Sequence, residues 1–317
     1  ENNASENNET KTLKIDGSST VYLISEAVAE DYKGVNSDLQ ITIGTSGTGG
    51  GFKKFINGEI DICNASRPIK TSEADECKKN GIQFHELPIA YDGLAVVVNP
   101  KNTWADKLTV TELKTLWESA AQGKITKWSQ VRKGFPDKEI KLFGPGTDSG
   151  TFDYFCEAVN GGKENHRGDY TSSENDNQLV QGVASDEGSI GYFGLAYYEA
   201  NKDQLKLVPI DDGDNSNGAG AVVPTLETVQ NGTYAPLSRA LFIYVNDAVY
   251  QKPEVKEFLN YYIKNVPALA GEVGYIPLPG AIYTMVSQRM QNGVMGTLYT
   301  NGEEVGTKLE DLMKQSP

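Results

Sequence analysis

Two hydrophobic periods take turns along this chain. Leu13 to Asp16 reads as a short strand. After Gly17-Ser18-Ser19-Thr20, the apolar positions Val21, Ile24, Val28 and Tyr32 fall three and four apart, the spacing of one helix face. Leu39 to Ile43 alternates as a second strand and runs through GTSGTGGGF (44–52) into a helical stretch carrying Phe52, Phe55 and Ile56. A third strand, Gly58 to Cys63, ends at Asn64-Ala65-Ser66-Arg67-Pro68; a helix over 72–80 and a strand over 82–90 complete the block. LAVVVNP (94–100) is a long apolar strand stopped by proline. Beyond it the pattern predicts a helix over 109–118, a strand over 140–143 and a Gly-rich turn. That turn opens a helix with Phe152, Phe155, Cys156 and Val159 on one face. A helix over 175–184, strands over 188–194 and 205–210, a polar loop over 211–221 and a second long apolar run, Leu237 to Val245, follow. Helices starting at Pro253 and over 281–292 end the periodic part.

Strand–loop–helix repetition of this kind predicts an α/β fold in which ligands sit at the carboxyl ends of parallel strands. The two long apolar runs are suited to cross between two lobes. The expected division is 13–91 with 245–317 as one lobe and 92–244 as the other. Residues 1–12, ENNASENNETKT, have no period and read as a disordered leader, either a tether or an untidy terminus.

With 317 residues, two lobes can each bury a core. Lys plus Arg number 29 against 43 Asp plus Glu, a net charge of −14, which argues against nucleic acid as a partner. A small anion stays open, because backbone dipoles and one or two arginines can make a site locally positive. No apolar run approaches the ~20 residues of a membrane span. No secretory signal is visible, the pattern of a cytosolic or an already processed chain. Cys63, Cys77 and Cys156 show no metal-ligand spacing, and with His85 and His166 the only histidines, neither a metal nor another cofactor is expected. Cys63 and Cys77 are either a bridge or two buried thiols, and Cys156 falls on an apolar helix face.

No GxSxG and no Walker A motif is present, and a serine hydrolase would need one of the two histidines beside a serine. The specific signal is four loops rich in Gly and hydroxyls at predicted strand ends. They carry Ser18, Ser19 and Thr20; Ser46 and Thr48; Ser66; and Ser149 and Thr151. Each residue fits a helix cap or turn. Together, three of the loops at helix starts, they also fit an anion held by neutral donors and unpaired N–H groups. Arg67 and Arg167 are the cationic candidates on these grounds.

These stretches resemble the substrate-binding protein of phosphate ABC transporters, a type II periplasmic binding protein. The resemblance is carried in order by DGSSTVY (16–22), GTSGTGGGF (44–52), DICNASRPI (61–69), YDGLAVVVNP (91–100), GKITKW (123–128), GPGTDSGTFDYF (144–155), NQLVQGV (177–183) and GSIGYFG (188–194). It implies two α/β lobes closing on a dehydrated phosphate, with no covalent chemistry and so no enzyme. The implied ligands are Thr20 with the Val21 N–H, Thr48, Ser149, the Gly150 N–H and Thr151. Many members carry Asp after the Ala-Ser pair, where this chain has Arg67, and Arg four residues before the serine matching Ser149, where it has Pro145. The chain resembles the sub-group with Ala-Ser-Arg-Pro. In that sub-group Arg67 would restore the charge, and Asp148 would orient an arginine or take the ligand's proton. The expectation is an extracytoplasmic monomer, in the periplasm or on the outer face of the cell membrane with a lipid anchor as one option, that delivers phosphate to a membrane permease.

Overall fold

The longest strand of the protein joins two halves of one sheet. The structure, a computed structural model, describes residues 11–147, 149–173, 175–216, 218–300 and 308–315. In chain order the strands are β1 (Lys11–Gly17), β2 (Leu39–Ile43), β3 (Ile62–Ala65), β4 (Phe84–Val98), β5 (Leu108–Thr109) and β6 (Lys141–Pro145). They continue with β7 (Thr171–Ser173), β8 (Ser189–Gly194), β9 (Lys206–Leu207), β10 (Ile210–Asp211) and β11 (Ser238–Asn246). The helices are α1 (Ser19–Tyr32), α2 (Thr48–Ile56), α3 (Thr71–Lys79), α4 (Val110–Trp117), α5 (Gly150–Phe155) and α6 (Asp176–Ser185). After them come α7 (Leu195–Ala200), α8 (Leu226–Gln230), α9 (Asp247–Tyr250), α10 (Pro253–Glu272), α11 (Gly280–Gln291) and α12 (Leu309–Gln315).

The main sheet runs β2-β1-β3-β11-β4-β8-β6-β7, with β9 also on β4. β1, β2 and β3 are parallel, β6, β7 and β8 are parallel, and the strands between them are antiparallel, which makes the sheet mixed. β4 changes partner midway: Phe84 to Gly93 pair with β11, and Leu94 to Val98 pair with β8. The runs expected as separate strands at 82–90 and 94–100 are thus one strand, buried throughout. Such a strand has no polar face, so no break in alternation marks the change of partner. β11 pairs only with β3 and the first half of β4, so the chain returns to that half ahead of Ser238.

Helices flank both halves. α1 buries Val21, Ile24, Val28 and Tyr32, the face its sequence predicts, against α10, where Tyr32 meets Phe258 edge-on at 5.2 Å between ring centres. α10 runs beyond the expected Ile263 to Glu272 and accommodates Pro267. In the other half Trp117, Phe155 and Tyr192 form the centre of the core, with Phe155 stacked on Tyr192 at 3.8 Å. A smaller core around Phe52, Phe55, Phe84, Phe242 and Tyr244 lies on the opposite face of the first half. Cys63 and Cys77 are both buried there as free thiols, which settles the alternative left open above against a bridge, and Cys156 is likewise free and buried. β1 begins at Lys11, paired with Leu39, so the last two residues of the expected leader are strand; residues 1–10 lie outside the described residues.

Candidate functional site

The first half presents its loops through one carboxylate. Asp16, at the end of β1, accepts hydrogen bonds from Gly17 N (2.7 Å), Ser46 N (2.9 Å), Ser46 Oγ (2.8 Å) and Lys54 Nζ (2.6 Å). Burial alone would push its carboxyl up, but these donors together outweigh that and hold it below the usual range. Asp16 therefore locks the loops after β1 and β2 side by side. Gly17 has a φ of +135°, and a Cβ there would stand 2.2 Å from the Asn64 carbonyl, so only glycine permits this turn. Ser18 then caps α1, its Oγ accepting from Val21 N at 3.4 Å, and Ser19 and Thr20 occupy the first turn.

From the other half comes α5, capped by Ser149, whose Oγ accepts from Thr151 N at 3.1 Å, and continued by a wider π turn through Asn160. The two helix starts touch. A Cβ on Gly150 would stand 2.4 Å from Thr20 Oγ1 and 2.9 Å from Thr20 N. Ser19, Ser149, Gly150 and Thr151 line one cavity, together with Asp92 and Tyr275. Both helix dipoles direct their positive ends to this place.

The charges at this junction are residues that sequence reasoning missed. Arg239 on β11 and Asp92 on β4 are cross-strand partners, and Arg239 Nη2 stands 3.5 Å from Asp92 Oδ2. The same Nη2 donates to Thr20 Oγ1 at 3.3 Å. The guanidinium lies over the ring of Tyr154 of α5, 3.6 Å from its centre, with Glu157 at 3.9 Å. It thus touches α1, α5 and β4 at once. Its Nε has no hydrogen-bond partner among the described residues, and the same is true of Asp92 Oδ2. Asp92 is buried, which raises its carboxyl above the usual range; Arg239 opposes the shift without cancelling it. A signal did exist for Arg239, a charged residue inside a run otherwise fit for a buried strand, and such residues are rarely buried without a partner.

The other sequence candidates are distributed unevenly. Thr48 and Ser66 meet, with Oγ1 and Oγ 3.0 Å apart and Ser66 N donating to Thr48 Oγ1 at 3.2 Å. Ser66 and Arg67 line a second cavity, which Arg239 also borders. Arg67 does not join the helix starts. It forms a fork-to-fork pair with Glu73 (2.9 and 2.8 Å), donates to the Pro68 carbonyl and covers Phe52. The expectation that Arg67 supplies the missing charge is corrected to that extent: Glu73, six residues further on in α3, takes its guanidinium. Arg167 is corrected fully. It is buried and bonded to Asp169 (2.6 and 2.9 Å) and to the carbonyls of Leu116 and Ile125, a brace inside the second half. Arg167→Ala is expected to cost about 2–4 kcal/mol of stability, by stranding those carbonyls, and to leave anion affinity unchanged; thermal melting and titration calorimetry read the two separately. Asp148 lies outside the described residues.

Neither histidine stands by a serine. His85 is held between Asp247 and the Val294 carbonyl, and His166 between the Arg167 carbonyl and Tyr192. Burial lowers the pKa of His166.

Two halves of one sheet whose helix starts meet over a largely buried arginine form the frame of a solute-binding protein. The chain matches the family model described as a PBP superfamily domain over residues 2–266. It is 50% identical to Protein SphX of Synechococcus elongatus over 299 residues, 94% of this chain and 87% of that protein. It is 38% identical to the phosphate-binding protein PstS of Staphylococcus saprophyticus over 283 residues, 88% of this chain and 84% of that protein. Among solved structures it is similar to a possible phosphate binding protein from Planctomyces limnophilus. The two share 48% identity and a TM-score of 0.86, over 90% of this chain and 99% of that one. The chain belongs to the PBP superfamily and, within it, to the family of phosphate-binding proteins that includes PstS, which are receptors and not enzymes.

Proposed function

We propose that this protein is an extracytoplasmic receptor for inorganic phosphate that hands its ligand to the permease of an ABC transporter. The observation that carries the reading is the contact of Thr20 with Gly150 beside Arg239. Two helix starts, their hydroxyls and one guanidinium converge there from both halves of the sheet. An oxyanion of two charges, stripped of water, needs this many donors, and neutral donors around a single cation suit it well. Ser19, Thr20, Ser149, the Gly150 N–H, Thr151 and Arg239 are the assigned ligand groups. Thr48, Ser66 and the Val21 N–H are assigned to support of the first loop.

The two halves act as lobes that open and close to admit the ligand. Bending would fall where β4 changes partner, at Gly93 and Leu94, and in the segment ahead of β11. A monomer suffices for this cycle, and the acidic surface leaves nucleic acid without a role.

Titration calorimetry of ligand-stripped protein with phosphate is the direct test. Binding with a Kd on the order of 1 μM or tighter is expected. Absence of heat with phosphate, or a stronger response to arsenate, molybdate or sulfate, overturns the assignment. Turnover of a chromogenic phosphate ester would overturn the receptor role. Delivery is tested by phosphate uptake into vesicles carrying the cognate permease, with and without the protein.

A further inference from the structure

A tyrosine at the helix junction keeps its hydroxyl unused. α10 ends at Glu272, and Gly274, with a φ of +91°, turns the chain toward β4. Tyr275 N then donates to the Ala270 carbonyl at 2.9 Å, and Ile276 exchanges two backbone hydrogen bonds with Tyr91, at 2.7 and 2.9 Å. This clamp sets Tyr275 near the point where β4 leaves β11 for β8. Tyr275 is only 8% exposed, and it borders the cavity of Ser149, Gly150 and Thr151. No hydrogen bond of its hydroxyl is found among the described residues, although the two helix starts already touch. A buried tyrosine hydroxyl ordinarily has a partner. Acceptors are close by: Asp92 and Asp176 border the same cavity, and Glu157 stands beside Arg239, yet none of them takes this proton. Burial, and after it the charge of Asp92, holds the phenol above its usual range, with Arg239 opposing. The hydroxyl therefore stays a donor at neutral pH.

We infer that Tyr275 donates its hydroxyl to the bound oxyanion, as a ligand group supplied by the segment between α10 and α11 and not by a helix start. This rests on the phosphate reading above. A dianion at the junction shares its surroundings with Asp92, Asp176 and Glu157, and Arg239 is the one cation placed there among the described residues. Under that balance each neutral donor counts, and a phenol donates without adding charge. The helix-start hydroxyls have other duties as well: Ser149 Oγ caps Thr151 N, and Thr20 Oγ1 accepts from Arg239. Tyr275 has none. Its ring is buried and its backbone is held on both sides, so little freedom is lost when the contact forms. The segment belongs to the first half but is seated against the second. A Cβ on Gly274 would stand 3.2 Å from the Tyr197 ring of α7, and one on Gly194 would stand 3.6 Å from the Gly274 carbonyl. Opening the halves would part these surfaces and draw the hydroxyl away from Ser149 and Thr151. Tyr275 therefore contributes to binding only in the closed arrangement.

Calorimetric titration of Tyr275→Phe with phosphate tests the assignment, because the substitution removes the hydroxyl and keeps the ring. Affinity is expected to fall roughly 10- to 100-fold, the effect of losing one hydrogen bond to a charged group. The ligand-free Tm is expected to match wild type, since no bond within the protein is lost. Tyr22→Phe is the control. Tyr22 borders the same cavity but donates to Glu26, so its affinity for phosphate should change by less than about threefold. A crystal structure of the wild type with phosphate reads the contact without any variant, and Tyr275 Oη should lie about 2.5–3.0 Å from a phosphate oxygen. Tyr275→Phe binding phosphate as tightly as wild type overturns the inference, and so does a hydroxyl more than about 4 Å from the anion. Equal losses in Tyr275→Phe and Tyr22→Phe also overturn it, because the effect would then belong to the cavity at large. Wild-type protein that binds no phosphate fails the functional reading itself, and the inference with it, a result distinct from the others.

Discussion

Arg239→Ala is expected to lose phosphate affinity by two to three orders of magnitude, the largest single-residue effect in the protein. The guanidinium is largely covered by Asp92 and Tyr154 and donates to Thr20. It is the one cation placed at the helix junction among the described residues. Removing one member of a buried charged pair costs about 3–5 kcal/mol, much of it from the partner left behind. Here two anions would be left behind, the ligand and Asp92. Asp92 can escape by taking a proton, which gives the variant a signature in pH. A carboxyl raised further in the folded state binds its proton more readily folded than unfolded. The variant should therefore regain stability relative to wild type as pH falls from 7 toward 5, and lose it as pH rises. Arg67→Ala is the control. Its guanidinium is held by Glu73, so its removal should cost stability and weaken phosphate by less than tenfold, as the loss of one rim charge would. Calorimetry on both variants decides the matter. Arg67→Ala abolishing binding while Arg239→Ala retains it would reverse the assignment.

The contrast between these two arginines marks how far the sequence was legible. The hydroxyl loops and both helix starts stood out because caps, glycines and strand ends are local features, written in residues a few positions apart. Thr20 and Gly150 are 130 positions apart, yet each was recognisable from its own turn. Arg67 stood out for the same reason, since it follows a strand end directly. What no local pattern reveals is which acid a cation will meet. Glu73 claims Arg67 from the next helix, and Asp169 claims Arg167 from two residues away. Arg239 and Asp92 were hidden by the opposite circumstance. Arg239 lies in the apolar run 237–245, where hydrophobic periodicity speaks for a strand and is silent about the one charged position, and Asp92 falls between the runs 82–90 and 94–100, which β4 joins. Only the register of β11 on β4, which sets Arg239 opposite Asp92, brings them together. β4 itself misled in part, because a strand buried on both faces has no alternation to mark where its partner changes.

Gly150→Ala is expected to lose phosphate affinity by about 100-fold or more while leaving the ligand-free fold intact, a separation that a merely structural glycine would not give. The added methyl would stand 2.4 Å from Thr20 Oγ1, 2.8 Å from Thr20 Cα and 2.9 Å from Thr20 N. A side-chain hydroxyl can rotate away, but the Cα and N belong to the first turn of α1 and cannot move without the helix. The two halves must then stay apart by the thickness of a methyl group. Each donor contributed by one half is displaced from an anion held by the other, and water enters between them. The backbone at Gly150 is helical, with no positive φ for alanine to resist, and alanine is the better helix former by about 1 kcal/mol. Ligand-free thermal stability should accordingly match or slightly exceed that of wild type, while the rise in Tm that phosphate gives the wild type should largely vanish. Small-angle scattering with saturating phosphate should show a contraction in wild type and none in the variant. If Gly150→Ala binds phosphate as tightly as wild type and contracts with it, the ligand does not lie between these two helix starts. The cavity bordered by Ser66 and Arg67 would then become the site to examine.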